Sequence, residues 1–305
     1  MSITPWFDDL PVLGALPPDE TITKLREVGE DDVANILEAA QETQPSAVFG
    51  IKEWLTASEK PYLHTAHVFG YLAPIQSISE VLPILPVNSV HPDLTLKNAR
   101  LTITLGLLRV AKYPGSGMQH ILLHFAAQNH VPKMTEQVHF NATYRVQDGE
   151  HAPFRGDPIF VGLGVGSTGI TFRCRTILVK NERVETFLNF LKSDVVKSGL
   201  KLATTAQPAI GPLSAMAYGL AETMANYRRN VSVQDFALGF DFGAGPAGVR
   251  LAEGAYLAAQ IPDMVWEWDQ WVYHPASGLV VQQKDRTQQL PYNYLLFNVS
   301  RYEGN

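Results

Sequence analysis

From about residue 94 onward, apolar side chains recur at every second position, and this period of two constrains the fold more than any other feature. The clearest run is Val138, Phe140, Ala142, Tyr144 and Val146, with His139, Asn141, Thr143, Arg145 and Gln147 between them. A strand sends successive side chains to opposite faces, so the run predicts a sheet with one apolar and one polar face. On that reading Phe140→Ala costs about 3–5 kcal/mol, whereas Asn141→Ala or Thr143→Ala stays within about 0.5 kcal/mol. Leu101, Ile103, Leu105 and Leu107 alternate in the same way with Thr102, Thr104 and Gly106. Ile121, Leu123 and Phe125 resume the pattern after the turn Tyr113-Pro-Gly-Ser-Gly117. Further strand patterns cover 158–165, 170–179, 231–242, 249–261, 266–273, 279–283 and 292–301. The first two read as a hairpin through Gly166-Ser-Thr-Gly169, and His274-Pro-Ala-Ser-Gly278 reads as the turn of another. One-sided alternation implies antiparallel sheets, not the uniformly apolar strands of a doubly wound parallel core. The predicted fold is mainly β, an antiparallel β-sandwich.

Helical signals lie elsewhere. Pro17-Pro18-Asp19-Glu20 sets up a helix with Ile22, Leu25 and Val28 on one stripe, and Gly29 suits its left-handed end. Asp31 or Asp32 can cap a second helix bearing Val33, Ile36, Leu37 and Ala40. Prolines 74, 83, 86 and 92 then break regular structure. These signals divide the chain into an N-terminal helical segment, 1–90, packed on the body, and a β-sandwich domain, 91–305. The domain carries one helical insertion over 182–227, which includes the small-residue stretch 208–227.

Composition excludes several classes. With 46% hydrophobic and 18% charged residues the chain is not disordered, collagen-like or coiled-coil. Its 24 Lys+Arg against 30 Asp+Glu give a net charge of −6, which argues against nucleic acid or an anionic membrane as partner. Cys174 is the single cysteine, so an internal disulfide is impossible and a reducing, cytoplasmic setting is expected. The first residues lack the pattern of a secretory signal, and no window approaches the roughly 18 apolar residues of a spanning helix.

Several motifs invite chemistry. Gly243-Ala-Gly-Pro-Ala-Gly248 resembles the pyrophosphate loop of flavoproteins, which implies dinucleotide binding if a helix follows at once. Val249 onward suits a strand as well as a helix, and too few residues follow Gly248 for the remaining βαβ units. Gly164-Val-Gly-Ser-Thr-Gly169 matches the same spacing but runs straight into a strand. The expected cofactor content is therefore none, with a divalent metal as the alternative. No nucleophile elbow is present, and Cys174 shares the apolar parity of Ile170 and Phe172, as a buried inert thiol does.

Seven of the nine histidines fall between His64 and His139. His120 and His124 are four residues apart on a strand, about 13 Å, and cannot share an ion. Across the hairpin, however, His124 and His139 can approach, and with Glu136 they form the candidate metal site. His64 and His67 read as interface residues between the helical part and the sandwich. The acidic turns around Asp148-Gly-Glu150 and Asp157 bear a loose resemblance to the calcium-binding loop ends of C2-type domains. The sandwich is accordingly expected to be C2-like or jelly-roll-like. Trp266, Trp268 and Trp271 form the densest aromatic cluster and are the candidate partner-binding residues. If 266–273 is one strand, Trp266 and Trp268 share a face and Trp271 takes the other.

Three functional readings follow. The first is a non-catalytic cytoplasmic binding or assembly protein that recognises a protein partner or self-associates through its β-sandwich. The second is a metal-dependent enzyme with a histidine site on the 118–140 hairpin. The third is a membrane-active protein using the 208–227 helix, against which Pro208, Pro212, Glu222 and Asn226 argue.

Overall fold

A computed structural model of the chain describes residues 10–43, 60–74, 79–132, 134–152, 156–180, 200–202, 230–243 and 248–304. The expected helical insertion at 182–227, and residues 244–247 of the glycine loop, lie outside the described residues.

Helix α1 (Pro18–Val28) starts on a proline whose missing N–H costs nothing in the first turn, with Asp19 and Glu20 at the positive end of the helix dipole. It ends at Gly29, whose φ of 88° is the left-handed cap expected there. Helix α2 (Asp31–Thr43) follows directly. Ile22, Leu25, Val28, Val33, Ala34 and Leu37 belong to the same apolar core as the sheets, so the helical pair closes part of the sandwich. Ile36 departs from the expected stripe and faces outward. Among the described residues no helix is long and apolar enough to cross a membrane.

Sixteen strands follow in chain order among the described residues. They are β1 (Ala66–Leu72), β2 (Leu82–Pro83), β3 (Leu85–Pro86), β4 (Arg100–Val110), β5 (Gln119–Val131), β6 (Met134–Val146), β7 (Glu150–His151) and β8 (Asp157–Gly164). Then come β9 (Gly169–Leu178), β10 (Leu200–Lys201), β11 (Val231–Asp241), β12 (Val249–Arg250), β13 (Gly254–Ile261), β14 (Trp271–His274), β15 (Leu279–Gln282) and β16 (Tyr294–Arg301). An eight-stranded sheet runs β10-β8-β4-β16-β13-β1-β3, with β7 also on β4. A five-stranded sheet runs β12-β11-β9-β5-β6, and a three-stranded one β15-β14-β2. Pairing is antiparallel apart from the two-residue parallel contacts β10–β8 and β11–β12. The chain is mainly β and sandwich-like, without a closed barrel.

The two large sheets meet through phenylalanines. Phe297 of β16 packs edge-on against Phe172 of β9 and Phe125 of β5, with ring centroids 5.0 and 6.1 Å apart. Such aromatic pairs fill the inter-sheet space with large buried area and a defined angle. A second cluster lies on the other face of the eight-stranded sheet, where Leu257, Tyr294 and Leu296 pack against Val280, Leu290 and Trp268. The molecule thus stacks three layers. The middle one is buried on both sides near β16, whose Leu295, Phe297 and Val299 face one core while Tyr294 and Leu296 face the other.

Four sequence expectations need correction. Residues 1–90 are not all helical, because β1 is a full member of the eight-stranded sheet and pairs with β13 from Ala66↔Ile261 to Leu72↔Ala255. Strands β8 and β9 are consecutive but not a hairpin: β8 pairs with β4, while β9 pairs with β5 and β11 in the opposite sheet. Their short link, with Gly166 N–H donating to the Gly169 carbonyl, crosses between layers. The stretch 249–261 is two strands, β12 and β13, and 266–273 is broken by a 3-10 turn at Trp268–Gln270. By contrast, β14 and β15 do form the expected hairpin through His274–Gly278.

Candidate functional site

The 3-10 turn at Trp268–Gln270 overrides strand parity and gathers all three tryptophans. Trp266 stacks on Trp271 with centroids 5.8 Å apart and meets Trp268 edge-on at 5.4 Å. Trp268 is buried and donates its Nε1 hydrogen to the Phe69 carbonyl, which fixes the cluster to β1. Gly70 permits that approach: a Cβ there would stand 3.0 Å from the Trp268 ring. Trp266 and Trp271 remain half-buried beside an open groove of about 990 Å³. The groove is walled by Phe69 and His67 of β1, the Pro83–Val87 stretch, Ala237 and Gly239 of β11, and the acidic pair Glu267 and Asp269. Leu85 of its lining is 41% exposed, and next to Trp266 stand Met264 and Val265, 54% and 88% exposed. Burial pushes the His67 imidazole down to about 4, so it is neutral at pH 7. The Nε2 of His67 and the Nε1 of Trp266 are buried with no hydrogen-bond partner.

A second polar feature covers the outer face of the five-stranded sheet. Register places Asp235, Arg175, His124 and Asn141 in one row across β11, β9, β5 and β6. Ala237, Arg173, Ala126 and His139 form the next row. Asp235 accepts from Nε and Nη2 of Arg173 and from Nη2 of Arg175. Burial pushes its carboxyl up, yet these guanidinium contacts outweigh it and hold the group below the ordinary carboxylate range. The expected approach of His124 and His139 is present: their rings stack at 5.3 Å, with His139 Nδ1 3.4 Å from His124 Nε2. Burial, then the neighbouring His139, lowers His124 to about 3.

Glu136 does not join them. It lies on the opposite parity of β6, where its Oε1 accepts from Asn129 Nδ2 at 2.6 Å. The three-ligand set His124, His139 and Glu136 is therefore not assembled. Among the described residues no group of three His, Cys, Asp or Glu side chains is gathered to hold an ion.

Other sequence candidates find structural partners. Asp148 accepts from the Tyr113 backbone N–H, Asp157 from the Tyr144 hydroxyl, and Asp241 from Arg250. Cys174 is fully buried and burial pushes its thiol up, as its apolar parity implied. After Gly248 the chain enters β12 and β13 rather than a helix, so no helix N-terminus stands behind the glycine loop. Sequence reasoning passed over Arg173 and Arg175. Their signal was present, since they alternate with Phe172 and Cys174 and so project from the polar face. Comparisons of the chain with protein-family models, with curated proteins and with solved structures find no match.

Proposed function

We propose that this is a non-catalytic binding protein whose tryptophan groove takes an extended segment of a partner protein. The observation that carries this reading is the groove itself, about 990 Å³, lined by Trp266, Trp268, Trp271 and exposed Leu85, with exposed Met264 and Val265 immediately preceding Trp266 in the chain. Aromatic anchors in a depression, surrounded by apolar rim residues, are the usual concentration of binding energy in protein interfaces. Glu267 and Asp269 at the edge favour a segment with basic residues flanking its apolar anchor, and they disfavour a second copy of this acidic chain. The edge strand β3 carries Pro86, with Pro83 just before it, which discourages unspecific strand addition there and leaves selection to the side chains. With Cys174 as its single, buried cysteine the chain makes no internal disulfide, which accords with work in a reducing, cytoplasmic compartment.

The test is fluorescence anisotropy with labelled synthetic peptides that combine leucine or tryptophan anchors with flanking lysines. Wild type is compared with Trp271→Ala and Glu267→Lys, alongside sedimentation over a concentration series. Peptide binding weakened at least tenfold in both variants supports the reading. Equal binding by all three proteins, or binding by none, overturns it. Self-association abolished by Trp271→Ala transfers the groove to a second copy.

A further inference from the structure

We infer that two copies of this chain join through β6, pairing antiparallel about a twofold axis so that their five-stranded sheets become one of ten strands. β6 ends the five-stranded sheet, and among the described residues no strand pairs with its other side. It is thirteen residues long, matches β5 without a register shift from Met134 to Val146, and contains no proline or glycine. The other ends of the two large sheets are blunted: β3, β10 and β12 have two residues each, and β3 includes Pro86. A long, regular edge presents a row of backbone donors and acceptors that another strand can complete. Phe140 packs against the core yet is only partly buried at this edge, so an added strand would also cover it.

The sequence of β6 selects a second copy as that strand. Facing residues of an antiparallel pair share a face, so the twofold axis falls on one residue position, which meets its own counterpart. With the axis at Phe140, the inward row sets Val138 against Ala142 and Glu136 against the phenol of Tyr144. The outward row sets Gln137 against Thr143 and Thr135 against Arg145. An axis at His139 or Asn141 would instead put the Glu136 carboxylate against Ala142 or Val146, an apolar neighbour that cannot hydrogen-bond it. Glu136 and Arg145 are the two formal charges of the strand. Antiparallel pairing brings Glu136 of one copy to the same end as Arg145 of the other, whereas parallel pairing would align like charges. This surface is separate from the tryptophan groove, whose lining includes no residue of β6.

Sedimentation velocity of the full chain over a concentration series reads monomer against dimer, and a dimer is expected. Position 135 tests the register, because Thr135 and Arg145 are both exposed and lie roughly 33 Å apart within one chain. Thr135→Glu sets opposite charges face to face twice in the dimer and should tighten it. Thr135→Arg sets like charges face to face twice and should weaken it. The two dissociation constants should differ at least tenfold, although both variants lose the same contact of Thr135 Oγ1 with His130 Nδ1. Amide hydrogen exchange in β6 should slow as concentration rises. A wild-type chain that stays monomeric throughout the series overturns the inference, whether or not another protein's strand binds the edge. So does a dimer indifferent to the charge at position 135, or one lost in Trp271→Ala.

Discussion

His124 and Asn141 face each other across the β5–β6 pair, His124 Nδ1 to Asn141 Oδ1 at 2.8 Å, and both are buried although they sit on the outer face of the sheet. A buried ring nitrogen that loses the group hydrogen-bonded to it carries a desolvation cost. Asn141→Ala should therefore destabilise the protein by about 1–3 kcal/mol, whereas Thr143→Ala, half-buried in the next position of that face, should stay within about 0.5 kcal/mol. Urea denaturation of the two variants checks this. Equal, negligible effects would show that the outer face is merely wetted.

Acid should unfold the protein from an unusually high pH. Burial lowers His64 and His67 to about 4, and burial with the neighbouring His139 lowers His124 to about 3. A histidine whose folded pKa lies below its unfolded value of about 6.5 binds its proton first in the unfolded chain. The stability it contributes is complete above about pH 6.5 and falls away as pH drops toward the folded pKa. Tm should be flat from pH 7 to 8 and decline from pH 6.5 to 4.5. In His67→Gln the decline should be shallower; an unchanged slope would remove His67 from the account.

Core truncations should rank by burial. Phe297 is in ring contact with Phe125, Phe172 and Phe236 between the large sheets, so Phe297→Ala should cost about 3–5 kcal/mol. Phe140 stacks on Phe125 but is only partly buried, so Phe140→Ala should cost clearly less. The midpoints of guanidinium denaturation give the order directly, and a larger loss at Phe140 would contradict this packing.

Within the tryptophan cluster, Trp268→Ala should lower stability by about 3–5 kcal/mol, because Trp268 is buried and tied to the Phe69 carbonyl. Trp271→Ala should leave the fold nearly as stable, because its ring is half-exposed at the groove. Thermal melts of the pair separate the structural tryptophan from the one offered to a ligand. If Trp271→Ala proves the more damaging change, the groove is part of the core.

Period-two alternation sufficed for the strands of the sandwich because it is a local property of the backbone. It failed where the third dimension intervenes. Glu136 follows the apolar parity of β6, so its separation from His139 was already legible in the spacing 136, 138, 140. The burial of Asn141 was not legible, because it depends on β9 bringing Arg175 beside His124. The 3-10 turn that swings Trp271 onto Trp266 left no signature in the aromatic spacing. The crossing between β8 and β9 looks like a hairpin turn because Gly166 and Gly169 serve a reversal and a layer change equally well. Strand β1 escaped notice because Ala66–Leu72 is short and flanked by residues that read as helix and breaker.

Strand β16 sits at the heart of the eight-stranded sheet, between β4 and β13, and its Asn298 side chain donates to Thr104, a partner 194 residues earlier in the chain. On the ribosome, β4 is therefore made long before the strand that completes it. At synthesis rates of about 5–20 residues per second, its apolar edge waits roughly ten seconds or more for closure. Contacts of such long range also slow the folding search itself. The nascent chain must pass through this interval with a sticky, unpaired edge, which makes it a natural client for chaperones. A chain shortened before Tyr294 would remain in that condition permanently.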